Sequence, residues 1–176
     1  SLGCYELTVT GDGAIWCSGN GAQDKHLVRL DKGSNPPETC TTELYEAPPG
    51  QEHEVIGSGG VQATRNGVIW QNWRVSGHFT SFDRSKCVGP LNGPTATGAH
   101  CSEGWMLYPF PGPNYKGAQD SASADSAYYN FSDRFNLLGV GDNVPLATGN
   151  LSEGVLALVD GEFKTFRVPY PLGSFF

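Results

Sequence analysis

A histidine between two glutamates is the strongest candidate for chemistry in this sequence. In the run Glu52-His53-Glu54 the adjacent carboxylates can raise the pKa of the imidazole, which would suit a general base or a metal ligand. The run follows Pro48-Pro49-Gly50, so a solvated loop is the alternative interpretation, and the composition favours it. Glu52, His53 and Glu54 are therefore candidate catalytic residues.

Two further histidines occupy equivalent places in a repeated pattern. His26 opens the segment His26-Leu27-Val28-Arg29-Leu30-Asp31, and His78 opens His78-Phe79-Thr80-Ser81-Phe82-Asp83. Equivalent positions of a repeat protein can converge on one face, which makes both histidines candidate binding residues. The third copy has Val155 at this place, so packing or a hydrogen bond to a neighbouring strand is the alternative.

Each histidine begins the third of four predicted strands in a unit that occurs three times. A tight turn joins the first two strands of each unit, and its glycine, aspartate or asparagine tolerates positive φ. These turns are Gly11-Asp12-Gly13, Arg65-Asn66-Gly67 and Gly141-Asp142-Asn143. The first strand of the third unit is predicted at residues 135–140.

Apolar residues recur at fixed places in the three units. The second strands carry Trp16, Trp70 and Leu146. The fourth strands carry Tyr45, Tyr108 and Phe166, each three residues before a proline. Four antiparallel strands in units of about 50 to 60 residues are typical of β-propeller blades, where such side chains pack between neighbouring sheets.

We therefore predict an all-β fold of three four-stranded antiparallel β-propeller blades. The blades are expected at about 4–49, 59–112 and 134–170, with an insertion at 87–101 and a linker at 113–133. Propellers usually close with four to eight blades, and a three-blade arc would leave an apolar sheet face open at each end. The chain is thus expected to be part of a larger ring, completed by further blades of the same protein or of another chain.

Composition excludes some partners. The net charge of −7 disfavours nucleic acid, whose phosphates require a basic patch. No segment approaches the roughly 20 apolar residues of a membrane span. We therefore expect neither nucleic-acid binding nor a membrane-spanning helix.

The pairing of the five cysteines indicates the cellular compartment of the protein. None forms a C-x-x-C pair, so the common zinc and covalent haem patterns are missing. Cys87 and Cys101 bracket a loop rich in glycine, proline and threonine, which favours a local disulfide over free thiols. A disulfide would indicate a periplasmic or extracellular protein. The pairing of Cys4, Cys17 and Cys40 is left open.

The repeat resembles that of the streptogramin B lyase-like (virginiamycin B lyase-like) β-propellers. Gly13-Ala14-Ile15-Trp16 and Gly67-Val68-Ile69-Trp70 carry the resemblance, together with the strands that end at Asp31 and Asp83. The insertion at 87–101 and the segment Arg167-Val168-Pro169-Tyr170-Pro171-Leu172-Gly173 resemble large, mostly uncharacterised, secreted bacterial members.

The resemblance implies an activity as well as a fold. The lyases open a cyclic depsipeptide ester by elimination, with a histidine base, a glutamate and a magnesium ion at the mouth of the central channel. His53 precedes the second unit at the kind of position expected of the base, but no glutamate stands at a matching place near Gly67. A secreted or periplasmic binding or protein-interaction module is therefore the main expectation. A carbon–oxygen lyase, with Mg²⁺ as its cofactor, is the alternative.

Overall fold

Three four-stranded antiparallel sheets make up the protein. A computed structural model describes residues 3–19, 24–46, 55–96, 101–112, 126–149, 154–167 and 169. The first sheet contains β1 (Leu7–Val9), β2 (Ile15–Ser18), β3 (His26–Asp31) and β4 (Thr41–Glu46). The second contains β5 (Ser58–Ala63), β6 (Ile69–Trp73), β7 (His78–Phe82) and β8 (Trp105–Pro109). The third contains β9 (Asn130–Asp133), β10 (Val144–Gly149), β11 (Gly154–Val159) and β12 (Glu162–Arg167).

Strand order within each sheet follows the sequence, which gives three sheets of the same up-and-down topology. We call them blade 1, blade 2 and blade 3. The first strands lie side by side, because β1 contacts β5 and β5 contacts β9. This arrangement of adjoining inner strands is that of propeller blades, and it confirms the predicted all-β fold.

The repeat is visible in the turns after β1 and β5. The Thr10 hydroxyl donates to Asp12 and to the carbonyl of Ala14. Thr64 bonds in the same way to the residues two and four positions further on. Gly13, Gly67 and Asn143 all adopt positive φ at the equivalent turn position, which explains the glycine or asparagine there.

The third unit departs from the prediction at its first strand. Residues 135–140 form turns, and β9 lies earlier, at Asn130–Asp133, within the predicted linker. The predicted strand at 135–140 is therefore wrong. The Asp133 carboxylate accepts hydrogen bonds from the amides of Phe135, Leu137 and Leu138, and these bonds fold the apolar run into a loop.

Aromatic side chains fill the interface between blades 1 and 2. Trp16 stacks on Tyr45 with ring centroids 5.8 Å apart, and Phe82 of blade 2 lies 4.5 Å from the Tyr45 ring. Between blades 2 and 3, Trp70 and Phe79 pack in one apolar cluster with Leu156. Trp16 and Trp70 thus fill blade interfaces, as predicted. Nowhere in the described residues is there a helix long and apolar enough to cross a membrane.

Candidate functional site at the channel mouth

The inner strands of all three blades start at the same end of the molecule. Near these starts the amide of Gly60 in β5 donates to the carbonyl of Tyr128, just before β9. The Glu6 carboxylate, just before β1, accepts from the amide of Val61. In a closed ring these strands would line the central channel, and we therefore call this end the mouth.

Three tyrosines and an arginine meet at this mouth. Tyr5 precedes β1, Arg74 follows β6, and Tyr128 and Tyr129 precede β9, so each blade contributes at least one side chain. We call these four residues the mouth cluster. All four are partly exposed.

The arginine lies across the tyrosine rings. Its Cζ is 4.7 Å from the ring centroid of Tyr5 and 5.1 Å from that of Tyr128. Its Nε donates to the carbonyl of Ser58 at 3.0 Å, which fixes the guanidinium over the start of β5. Tyr5 meets Tyr128 edge to face at 5.7 Å and stacks with Tyr129 at 6.5 Å. Each cation–π contact contributes about 0.5 to 1 kcal/mol at an exposed site, so the two contacts favour a guanidinium placed against both rings.

Hydrogen bonds between the hydroxyls shift the pKa values of Tyr5 and Tyr128 in opposite directions. Burial and hydrogen bonds with Tyr128 and Tyr129 raise the pKa of Tyr5. The hydrogen bond with Tyr5, helped by the positive charge of Arg74, lowers the pKa of Tyr128. The hydroxyls of Tyr5, Tyr128 and Tyr129 thus form one hydrogen-bonded group at the mouth.

Below the mouth cluster lies a polar layer around a bulge in β5. The register of β5 against β6 shifts between Ser58 and Val61. A Cβ at Gly60 would stand 2.5 Å from Oδ1 of Asn130 and 2.6 Å from Oε2 of Glu6, so only glycine fits between them. Burial raises the pKa of Glu6, although bonds from Gln62 and Val61 oppose the shift.

Two buried asparagines in this layer keep unused hydrogen-bonding capacity. Asn130 is fully buried and donates its Nδ2 to the carbonyl of Trp70 at 2.7 Å. Its Oδ1, and both amide atoms of Asn72, have no partner within the described part of the chain. Since buried polar groups are normally satisfied, these atoms mark a place where a ligand or water would complete the bonding.

The sequence-predicted catalytic residues cannot be placed against this cluster. Glu52, His53 and Glu54 lie outside the described residues, so their role stays a prediction. The described chain resumes at Val55, shortly before β5 begins at Ser58.

The predicted binding histidines occupy equivalent positions, at the starts of β3 and β7. His78 is fully buried on the side of blade 2 that faces blade 1, and burial lowers its pKa to about 4. His26 is partly exposed, and its carbonyl accepts from the Ser58 hydroxyl. A ligand role for either histidine stays a prediction, and the burial of His78 favours packing.

The disulfide between Cys87 and Cys101 is confirmed. A second disulfide joins Cys4 to Cys17, which the sequence left open, and Cys40 is free and exposed. In the described ranges, no three His, Cys, Asp or Glu side chains lie close enough together to hold a metal ion.

A cavity of about 460 Å³ opens at the opposite end, by the turns after β1 and β5. Two of the three arginines that line it, Arg29 and Arg84, form ion pairs with Glu43, which is 1% exposed. The Arg84 nitrogens and Glu43 make two bonds of 2.7 Å, and the Tyr45 hydroxyl donates to the same carboxylate. This network joins blades 1 and 2, and we assign it a structural role.

Known structures share this architecture. Virginiamycin B lyase from Staphylococcus aureus, in its selenomethionine form, superposes with a TM-score of 0.58 over 94% of this chain and 41% of the lyase, at 17% identity. A catalytically inactive histidine-to-alanine form of that enzyme, with quinupristin, gives 0.58 over 97% of this chain and 43% of the lyase, at 16% identity. The chain has a streptogramin B lyase-like fold.

This likeness is one of fold. The chain spans less than half the length of these lyases. No protein-family model matches the sequence, and no curated protein matches it by sequence. The resemblance read from the repeated motifs is confirmed at the level of the fold.

The mouth cluster was not found from the sequence, although a signal was present. Tyr5 stands two residues before β1, and Tyr129 stands directly before β9. Because the first strand of the third unit was placed at 135–140, Tyr128 and Tyr129 fell into the predicted linker. Correct placement of β9 would have shown aromatic residues ahead of two equivalent inner strands.

Proposed function

We propose that this protein is a non-catalytic binding module of a larger propeller ring, and that its mouth cluster binds a planar aromatic group bearing a carboxylate or carbonyl. The observation that carries the proposal is the convergence of Tyr5, Arg74, Tyr128 and Tyr129 from three blades at one mouth. Tyrosine rings supply apolar faces for stacking. The Arg74 guanidinium bonds Ser58 through its Nε and also bonds the Tyr128 hydroxyl, and its several terminal N–H groups can donate to an oxygen of a ligand as well.

Two disulfides support a periplasmic or extracellular location for this module, because such bonds persist in oxidising compartments. Exposed apolar residues on blades 1 and 3 support its place in a larger ring.

Saturation-transfer-difference NMR with benzoate tests the binding proposal, because the method detects weak ligands. We expect a signal for benzoate and at least a fivefold weaker one for cyclohexanecarboxylate, which keeps the charge but cannot stack. Arg74→Met should weaken benzoate binding about tenfold, since a charge-assisted bond contributes about 1.5 kcal/mol or more.

A matched control exists at the other end of β5. Arg134 also donates its Nε to a carbonyl of β5, that of Ala63, but at the opposite end of the strand. Arg134→Met should leave benzoate binding unchanged. Equal loss in both variants, or equal signals from benzoate and cyclohexanecarboxylate, would refute the proposed site.

The lyase alternative is tested with quinupristin, the compound present with the similar lyase. Chromatography after incubation with this protein and Mg²⁺ should show intact quinupristin. A ring-opened product that disappears in a His53→Ala variant would overturn the non-catalytic proposal and support an elimination base at His53.

A further inference from the structure

Three asparagines in this chain are each followed by glycine, and the structure describes two of these pairs. They are Asn66-Gly67, in the turn after β5, and Asn92-Gly93, in the insertion at 87–101, while Asn20-Gly21 lies outside the described residues. Asparagine is chemically labile, because the following backbone nitrogen can attack its side-chain amide carbon. A following glycine favours this attack, since it has no Cβ to block the approach. The surroundings of each pair therefore decide which one reacts.

Two hydrogen bonds restrain the pair in the turn after β5. The Gly67 amide, which would be the attacking group, donates to the carbonyl of Thr64 at 3.0 Å. The side-chain Oδ1 of Asn66 accepts from the Thr64 hydroxyl. Attack requires that the amide lose its proton and that the side chain turn toward it, so both bonds must break first. The turn therefore slows the reaction at Asn66.

The pair in the insertion lacks these restraints. Among the residues that the structure describes, nothing accepts a hydrogen bond from the Gly93 amide. A Cβ at Gly93 would meet nothing within 4 Å, so the space around this backbone is open. Asn92 is exposed, so water can reach its side-chain carbon. Its Nδ2 donates a long hydrogen bond of 3.3 Å to Oε1 of Glu43.

We propose that Asn92 is a site of spontaneous deamidation in the folded protein, with water as the co-reactant. The Gly93 nitrogen bonds to Cγ of Asn92 and gives its proton to water, while the side-chain nitrogen takes up a proton and leaves as ammonia. The succinimide that results joins the side chain to the backbone. Water then opens one of its carbonyl–nitrogen bonds, which leaves aspartate or isoaspartate at position 92. Neither step transfers electrons.

The position of Asn92 gives this modification a structural consequence. Asn92 and Nη2 of Arg84 both donate to the same oxygen of Glu43, which is 1% exposed. Deamidation replaces one of these donors with a second negative charge beside the buried carboxylate. A like charge at this distance disfavours the ionised carboxylate, whereas the original amide stabilised it. Deamidation of Asn92 thus weakens the network that joins blades 1 and 2.

The test is peptide mapping of the full chain after incubation above neutral pH, where the attacking amide loses its proton more readily. Trypsin cleaves after Lys25, Arg65 and Lys86, so the three asparagine–glycine pairs fall in different peptides. Mass spectrometry then measures the conversion of amide to acid in each peptide. In the folded chain Asn92 should convert at least about tenfold faster than Asn66, since two hydrogen bonds restrain the latter.

The same incubation in urea is the matched control, because it keeps the sequence and removes the turn. Asn66 and Asn92 should then convert at similar rates. Equal rates in the folded chain would overturn the proposed site. An advantage of Asn92 that persists undiminished in urea would overturn it as well, since the sequence rather than the structure would then explain the difference.

Two variants test the consequence for the contact between blades 1 and 2. Asn92→Asp introduces one product of the reaction, and it should lower the urea midpoint of unfolding because it sets a carboxylate beside Glu43. Asn66→Asp is the control and should not lower the midpoint, since Asp12 accepts the equivalent hydrogen bond in blade 1. An unchanged midpoint in Asn92→Asp would contradict the predicted weakening. Asn92 lies outside the mouth cluster, so neither result bears on ligand binding there.

Discussion

Glu43 shows how single residues hold neighbouring blades together. Burial alone would raise the pKa of its carboxyl, but hydrogen bonds from Arg84, Tyr45 and Asn92 hold the pKa below its ordinary value. Arg29 also lies 3.6 Å from this carboxylate and is itself 6% exposed. A fully buried carboxylate with these partners is a structural element, and its loss would leave buried positive charge unpaired.

Glu43→Gln should lower the free energy of unfolding by about 3 kcal/mol, because breaking a buried ion pair from one side typically costs about 3 to 5 kcal/mol. Urea denaturation measures the change. Glu46→Gln is the control, since Glu46 is an exposed residue of the same strand and should change stability by less than about 0.5 kcal/mol. A loss below about 1 kcal/mol in Glu43→Gln would show that the network contributes little.

His78 predicts a dependence of stability on pH. Its pKa is about 4 in the folded chain and about 6.5 when unfolded, so the unfolded state binds more protons between these values. Stability is then complete above pH 6.5 and falls by up to about 1.4 kcal/mol per pH unit as pH drops toward 4. Urea midpoints measured from pH 7 to pH 4.5 should show this slope. In His78→Gln the slope should be smaller, and an unchanged slope would assign it to other groups.

At the scale of elements, the inner strand β5 lies between the inner strands of both neighbouring blades. Its bulge brings Glu6 of blade 1 and Asn130 of blade 3 against Gly60. The absence of a side chain there lets three inner strands meet beneath the mouth cluster.

Gly60→Ala should therefore destabilise the protein by about 1 to 3 kcal/mol, the usual cost of adding a methyl group to a filled space. Thermal unfolding by calorimetry measures the change. Gly11→Ala is the matched control, because a Cβ there meets nothing within 4 Å and its φ is not positive. Similar melting temperatures for both variants would contradict the packing around Gly60.

Most elements could be predicted because their signals are local. Alternating apolar residues and a glycine turn mark β2 and β6, and His78–Phe82 was predicted with the observed bounds. β9 was missed because Asn130-Phe131-Ser132-Asp133 is polar in composition, whereas the apolar run at 135–140 is held in a loop by Asp133. Tyrosines ahead of β1 and β9 are a sequence signal for part of the mouth cluster, but its contact with Arg74 could not be predicted, since these residues approach one another only when three blades pack side by side.

At the scale of the whole molecule, the three blades present a polar, aromatic mouth at one end and exposed apolar residues on the outer sides of blades 1 and 3. The mouth has groups that can stack on a ligand and hydrogen-bond to it, whereas the exposed large side chains of blades 1 and 3, such as Leu7 and Phe131, are apolar. The fold is shared with lyases more than twice as long. Because a shared fold does not establish a shared function, the proposed site is tested by locating where a ligand binds.

The most direct test is NMR of the protein with labelled tyrosine rings, titrated with benzoate. The central claim predicts shifts in the ring resonances of Tyr5, Tyr128 and Tyr129, with Tyr45 unchanged because it is fully buried between blades 1 and 2. Shifts that are absent from these three rings, while benzoate still binds, would place the ligand elsewhere and contradict the proposed mouth site.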